Sequence, residues 1–391
     1  MMNPLLAIIG FLGTAVFIFY VLFGYPVFLG WWAQRHARPP RRAKVEAPVS
    51  IIVCVHNGEA FLANKIQSIL ALEYPRHLIE ILIVSDGSTD GTEAIARSFS
   101  SQGVQLLVLP HGGKPAALNA GIRQASGEFL VLTDVRQVLA ADSLCFLMEN
   151  FADPAVGVVS GELVIHEGES REQAQTGLYW RYEIQIRLRL SEMDSIFGAS
   201  GAYYAMRREL AVPLPPDILL DDMYLPLAAF FRGYRLLVDT RARMFDYPTG
   251  LRSEFHRKVR TLAGNYQILR AYPQLLGPGN RLWIHFVSYK LARLFLPFAL
   301  LAVLISSAAL PQPWVAIALL IQAFFYAGAL SDPWIPEQSS LKHLTSPIRA
   351  FTTLMAAALC AVSIVIRPSA TLWKSTGSDP TQETAGGLGR K

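Results

Sequence analysis

The residues from Ile79 to Asp90, IEILIVSDGSTD, constrain this chain more than any other stretch. An apolar run from Ile79 through Val84 reads as a short buried strand. It passes directly into a turn made of Asp86, Gly87, Ser88, Thr89 and Asp90. A carboxylate is therefore fixed at the carboxyl end of a strand. In an open α/β sheet, ligands bind in the crevice beyond those ends. Phe129 to Asp134, FLVLTD, repeats the pattern and delivers a second strand-end Asp. Two such carboxylates point to a site for phosphate and metal, or for a sugar.

The neighbouring segments supply the sheet. Val49 to Val55 is apolar on both faces, as a buried parallel strand must be, and it ends in His56, Asn57, Gly58 and Glu59. Helical spacing follows over Phe61 to Leu72. A helix from Thr92 to Ser98 and a strand from Val104 to Leu109 come after the Asp86 turn. The segment HGGKPAALNAGIRQASGE then leads through Lys114 into a helix over Pro115 to Gln124. Strand, helix, strand, helix in this order predicts an α/β fold with a mostly parallel sheet and right-handed crossovers. Further along, Val156 to Leu163 reads as a strand, Glu167 to Gln175 as a polar loop or lid, and Leu178 to Met193 as a helix. Gly198 to Ala202 is a run of small residues, Tyr203 to Met206 is a strand, Asp221 and Asp222 open a helix, and Gly233 to Val238 returns as a strand.

Composition places this domain at a membrane. Hydrophobic residues make up 52% of the 391 residues and charged residues 17%, against about 25% charged in ordinary soluble domains. The apolar excess gathers before Trp32 and after Trp283. Leu5 to Trp32 exceeds the roughly 20 helical residues that cross a bilayer. It lacks a basic start and a cleavage site, so it reads as an uncleaved anchor. Arg35, Arg38, Arg41, Arg42 and Lys44 follow it, which by the positive-inside rule puts the chain from Gln34 onward in the cytoplasm. Leu282 to Leu310 reads as an interfacial start with a crossing from Leu294, and Trp314 to Leu330 and Ala350 to Ile366 as two more. The predicted organisation is an anchor at 1–33, a basic linker at 34–47 and a catalytic domain at 48–250. Amphipathic interfacial helices at 251–281, a membrane region with about three crossings at 282–366 and a disordered tail at 367–391 complete it. The net charge of +5 suits anionic lipid headgroups and an anionic nucleotide. No basic block interleaved with aromatics offers a nucleic-acid groove. Cys54, Cys145 and Cys360 are too dispersed for a disulfide framework or metal cluster.

Transfer from an activated sugar nucleotide needs a base pocket, neutralisation of the diphosphate and a base for the acceptor hydroxyl. Asp86 offers acceptor oxygens to a nucleobase or ribose. Asp134 offers a carboxylate to Mg²⁺ or Mn²⁺. Asp222, beside Asp221, has a like charge to raise its pKa toward that of a general base. The lesser alternative for Asp86 and Asp222 is a helix N-cap. Gly112, Gly113 and Lys114 read either as a phosphate cradle without P-loop spacing or as a plain turn. His56, His111 and His166 lack metal-ligand spacing and read as loop residues.

Assembled, these pieces resemble the membrane-embedded family 2 glycosyltransferases, the branch of the cellulose, chitin, hyaluronan and poly-N-acetylglucosamine synthases. VCVHNGE at 53–59 is similar to that family's opening nucleotide-binding segment, VSDGSTDGT at 84–92 to its DGSxDxT turn, and GKPAALNAG at 113–121 to the segment after it. The resemblance implies a GT-A-like domain that binds a UDP-sugar and a divalent cation in a multi-pass bacterial cytoplasmic membrane, with the catalytic domain cytoplasmic. Asn57, Glu59, Asp86 and Lys114 would serve the nucleotide, Asp134 the diphosphate and metal, Asp222 with Asp221 the catalytic base, and a glycan or lipid the acceptor. A homo-oligomer or a secretion partner is compatible with it. Two departures stand out. The DxD motif is Asp134, Val135, Arg136, whose last position holds a phosphate-binding fork of donors instead of a carboxylate. The QxxRW motif resembles Arg257, Lys258, Val259, Arg260 and Thr261, which keeps cations for the diphosphate and loses the aromatic platform for a sugar.

Overall fold

In this computed structural model, residues 4–165, 171–246, 251–336 and 338–365 are described. Eight strands form one sheet: β1 Val49–Val55, β2 Ile79–Asp86, β3 Val104–Leu109, β4 Phe129–Asp134, β5 Val138–Leu139, β6 Val156–Ile165, β7 Tyr203–Arg207 and β8 Arg235–Asp246. Their spatial order is β3-β2-β1-β4-β7-β6-β8-β5. The first four are mutually parallel, and β6 and β8 are also parallel. β7 runs antiparallel between β4 and β6. The expected GT-A-like, mostly parallel sheet is therefore present. Because β1, β2 and β4 run the same way, the turns after Val55, Asp86 and Asp134 share one edge.

Alternation along each strand explains the unbroken apolar runs. Ile51, Val53, Ile81 and Ile83 face the Glu59–Leu70 helix through Leu62, Ile66 and Ile69. Ile52, Leu82, Val84 and Leu132 face the Lys114–Gln124 and Asp221–Phe231 helices on the other side. With both faces covered, the strands are mostly apolar, and the polar residues within them, such as Ser50 and Thr133, are buried and hydrogen-bonded. Gly121 sets the spacing of one layer: a Cβ there would lie 2.8 Å from Ile52 and 3.1 Å from Val84.

Among the described residues, four helices are long and apolar enough to cross a membrane: Leu5–His36, Trp283–Ser307, Trp314–Trp334 and Lys342–Ile364. The first carries a π-helical turn at Tyr20–Gly24 and the second one at Val287–Leu291. Several boundaries differ from the sequence reading. The helix expected to cross from Leu294 is continuous from Trp283, because the π turn absorbs Lys290 without ending it. The last begins at Lys342 instead of Ala350, because Asp332 takes up its polar first turns: Thr345 and Ser346 donate to Asp332 at 2.7 and 2.8 Å, and Lys342 pairs with it at 3.4 Å. The helix expected from Leu178 spans Arg171–Met193. The rest of the lid reading, at 167–170, and the tail reading lie outside the described residues. β8 also runs eight residues past the expected Val238.

Gly121→Val drives a branched side chain into Ile52 and Val84. Overpacking of this kind costs about 1–3 kcal/mol. The expected outcome is a lower thermal unfolding midpoint with the secondary structure retained, measured by circular dichroism on the detergent-purified protein.

Candidate active site

Asp86 ends β2 and is 4% exposed. It does not cap the helix that follows it. Its Oδ1 accepts the Gly112 N–H at 2.7 Å and its Oδ2 the Gly113 N–H at 2.9 Å, so it satisfies the turn that opens the Lys114–Gln124 helix. Gly87 must be glycine for this approach: its φ is +64° and a Cβ would meet the His111 backbone nitrogen at 2.6 Å. His56 and His111, read from sequence as loop residues, flank the same residue. The Nδ1 atoms of both lie on the Asp86 carbonyl, at 2.7 and 3.1 Å, and their rings are 4.4 Å apart. A carbonyl only accepts, so both Nδ1 atoms donate to it. The ligand atoms of His56, Asp86 and His111 lie within 4.8 Å of one another. They make a poor cation cage, since the carboxylate is already taken by two amides and His111 Nδ1 at 3.0 Å.

Asn57 and Glu59 lash the β1 loop to the acidic turn. Asn57, at φ +52°, accepts the Thr89 N–H at 2.8 Å through Oδ1, and Glu59 accepts the Gly91 N–H at 2.6 Å. Asp90 closes the clasp by accepting the Glu59 and Thr92 N–H groups at 3.1 and 3.0 Å. Asn57 and Glu59 thus hold the wall beside Asp86.

Lys114 gathers the other carboxylates. Its Nζ donates to Asp134 Oδ1 at 2.9 Å and lies 3.4 Å from Asp221 Oδ1. Burial alone would lower the Lys114 pKa. Asp134 and Asp221 outweigh it and hold the ammonium well above its ordinary value. Asp222 stands in the first turn of the Asp221–Phe231 helix, where its side chain makes no capping bond. Its Oδ2 accepts the Gly201 N–H at 3.1 Å and its carbonyl the Ala199 N–H at 2.7 Å. The small residues there are required, since a Cβ on Gly201 would lie 3.0 Å from Asp222 Oδ2 and one on Gly198 2.5 Å from Met223. Burial first, and then the charge of Asp221, pushes Asp222 up to about 6, against the opposing pull of Lys114. A carboxyl so placed is poised to take a proton near neutrality. The Tyr204 hydroxyl on β7 is buried with no hydrogen-bond partner among the described residues.

Three cationic candidates fall elsewhere. Arg136 is engaged with the buried Asp246, its Nε 2.7 Å from Oδ1, and is not gathered with Asp134. Arg257 and Arg260 lie on the Leu251–Ala271 helix, both half-buried. That helix is seated beside the start of the Asp221 helix: Gln267 accepts the Leu219 N–H at 3.0 Å, and a Cβ on Gly264 would lie 2.4 Å from Leu220. Thr261 donates to the Arg257 carbonyl at 2.9 Å within its own helix. The acidic set suits a divalent cation. Asp134 and Asp221 offer hard oxygens, Asp134 keeps 40% of its side chain exposed, and three carboxylates outnumber one ammonium.

Residues 50–212 match the family model described as Glycosyl transferase family 2. Poly-beta-1,6-N-acetyl-D-glucosamine synthase of Staphylococcus aureus (strain COL) is 24% identical over 229 residues, covering 56% of this chain and 55% of that protein. The Staphylococcus epidermidis protein of the same name is 26% identical over 231 residues with the same coverage. The chain thus spans about half the length of the curated relatives it matches. Among solved structures, the mannosyltransferase PcManGT from Pyrobaculum calidifontis, in complex with GDP-Man and Mn²⁺, superposes with a TM-score of 0.70. At 23% identity, over 90% of this chain and 98% of that one, it shares the fold.

The carboxylate cluster makes a testable demand. A carboxyl with a pKa higher in the folded than in the unfolded chain binds its proton more tightly when folded, so its ionisation destabilises the fold as pH rises from about 4 through the raised value. Lys114→Met removes the charge that opposes this rise. Its loss of thermal midpoint relative to the native chain should be larger at about pH 7.5 than at about pH 5, measured by differential scanning fluorimetry.

Proposed function

We propose that the chain uses the domain over residues 50–212, which matches the model for Glycosyl transferase family 2, to move a sugar from a UDP-sugar to an acceptor at the membrane, with inversion. The observation that carries this reading is the convergence of Asp134, Asp221 and Asp222 on Lys114, next to Asp86, at the shared ends of parallel strands. Asp86, with the His56 and His111 rings beside it, receives the nucleoside. Lys114 and Asp134 receive the diphosphate. Arg257 and Arg260 would serve it from the helix seated against Leu219 and Leu220, a role read from the family resemblance, whereas Arg136 is held by Asp246.

Asp222 takes the proton from the acceptor hydroxyl. That oxygen forms a bond to the anomeric carbon from the face opposite the leaving group, the bond from carbon to the diphosphate oxygen breaks, and UDP departs with the electron pair. Lys114 stabilises the charge that develops there, a term that removal of one positioned donor shows to be large in enzymes. Asp134, with Asp221 beside it, would hold Mg²⁺ or Mn²⁺, which supplies Lewis-acid neutralisation of the diphosphate.

The named relatives favour N-acetylglucosamine over glucose as the sugar and a growing polysaccharide as the acceptor. A second reading, transfer of one sugar to a membrane lipid, is favoured by Thr261, whose hydroxyl is spent on its own helix and offers no platform for a sugar ring.

Asp222→Asn should lower turnover about a hundredfold or more, as loss of a general base does, with UDP affinity unchanged by calorimetry. In the native chain kcat should rise with pH through about 6 as Asp222 ionises. Retained turnover in the variant would remove Asp222 from its role. Purified enzyme in lipid, given radiolabelled UDP-N-acetylglucosamine and UDP-glucose separately with and without Mn²⁺, should make polymer from the first. A lipid carrying one sugar would select the second reading, and no product from either donor would refute the UDP-sugar assignment.

A further inference from the structure

Lys65 lies on the Glu59–Leu70 helix, on the face turned to the sheet, with 0% of its surface exposed. In the sequence it looks like an ordinary helix lysine. Its Nζ donates to Thr133 Oγ1 at 2.6 Å and to the Gln137 carbonyl at 2.8 Å. Thr133 in turn donates its hydroxyl proton to the Ala202 carbonyl at 2.7 Å, which also receives the Asp134 N–H at 3.3 Å. Gly201, one residue earlier, supplies the N–H to Asp222. A single amine therefore ties both ends of the turn that carries Asp134, and through Thr133 it reaches the segment that holds Asp222.

Such a group is expensive to bury. A methionine or leucine of similar volume would fill the same space without desolvation of a charge, and burial lowers the Lys65 pKa to about 7 although Asp134 opposes the shift. Packing therefore does not account for it, whereas its bonds do. Past Asp134 the turn has little regular structure of its own: β5 is two residues long. Arg136 and Gln137 bind Asp246 on the far side, at 2.7 and 2.8 Å, while Thr133 and the Gln137 carbonyl are held by Lys65. The turn is thus anchored from both sides, and the Asp134 carboxylate projects between the anchors.

We infer that Lys65 is a positioning residue that fixes the orientation in which Asp134 meets the diphosphate and its cation. It acts through the turn and touches neither. This rests on the proposed function, in that Asp134 serves the donor's diphosphate. The test compares Lys65→Met, Lys65→Arg and Thr133→Val, the last of which removes one acceptor of the amine and keeps its volume. A control is Ile69→Ala, a buried change on the same helix that loosens packing only. Calorimetry of UDP with and without Mn²⁺ and donor KM against kcat are read beside the thermal midpoint.

The expected result is a Mn²⁺-dependent part of UDP affinity reduced about tenfold in Lys65→Met and less in Thr133→Val, donor KM raised more than kcat falls, and partial recovery in Lys65→Arg. Ile69→Ala should lose thermal midpoint with unchanged affinity. If Lys65→Met does not fold, Thr133→Val and Lys65→Arg decide the question by the same readouts. Folded variants that bind Mn²⁺ and UDP like the native chain, or an equal loss in Ile69→Ala, would overturn the inference and leave the proposed function standing. Native protein that binds neither UDP nor Mn²⁺ would overturn both.

Discussion

The ammonium of Lys114 among three carboxylates is the interaction on which the rest of the site depends. Asp134, Asp221 and Asp222 would repel one another in a half-buried setting. Lys114 sits 2.9 Å from Asp134 and 3.4 Å from Asp221 and offsets that repulsion. It also limits the rise at Asp222 to about 6. Convergence requires the sheet order. Lys114 opens the helix between β3 and β4, Asp134 ends β4, and Asp222 opens a helix after β7, which is inserted antiparallel beside β4. The small-residue run leading into β7 then lies against Asp222, which is why Gly198 and Gly201 admit no side chain.

The parts of this arrangement legible in the sequence are those whose signal is local. β1 to β4 could be read nearly to the residue because both of their faces are buried, giving unbroken apolar runs that stop at acidic or glycine turns. Asp86, Asp134 and Asp222 were visible as carboxylates at element ends. What escaped depended on distant partners. β8 continues through Asp239, Arg241 and Arg243, residues that resemble a loop until Asn150 and Glu149 are brought to them. Arg136 reads as a phosphate ligand, and its bond to Asp246, 110 residues away, has no local signal. Lys65 and the His56–His111 pair share this character: their partners are backbone carbonyls and a hydroxyl, which no spacing rule encodes.

The membrane helices are joined to the catalytic core instead of being hung from it. Tyr25, Leu29 and Ala33 of the first helix are buried in one cluster with Ile184, Ile186, Leu282, Phe286 and Tyr289. Glu183 accepts from Arg293 at 2.5 Å and from Tyr289 across the same junction. Leu219 and Ala263 meet Ala361 of the last helix directly before Asp221. Breaking one partner of a buried ion pair such as Glu183 with Arg293 leaves an uncompensated charge. The membrane helices and the start of the Asp221 helix therefore share one frame.

That frame gives the Arg136 departure a physical meaning. At the last DxD position a carboxylate is replaced by a guanidinium, and on sequence alone this adds a cation to the diphosphate side. The guanidinium is instead spent on Asp246, a carboxylate only 5% exposed that Gln137 also binds. Its Nε is thereby engaged away from Asp134. The substitution therefore removes a candidate oxygen ligand from the last DxD position. The remaining carboxylates near the diphosphate side are Asp134 and Asp221, and both already share Lys114. A divalent ion at this site has to compete with that ammonium, so its affinity depends on how firmly the turn holds Asp134, which returns the control of the site to the buried groups behind it.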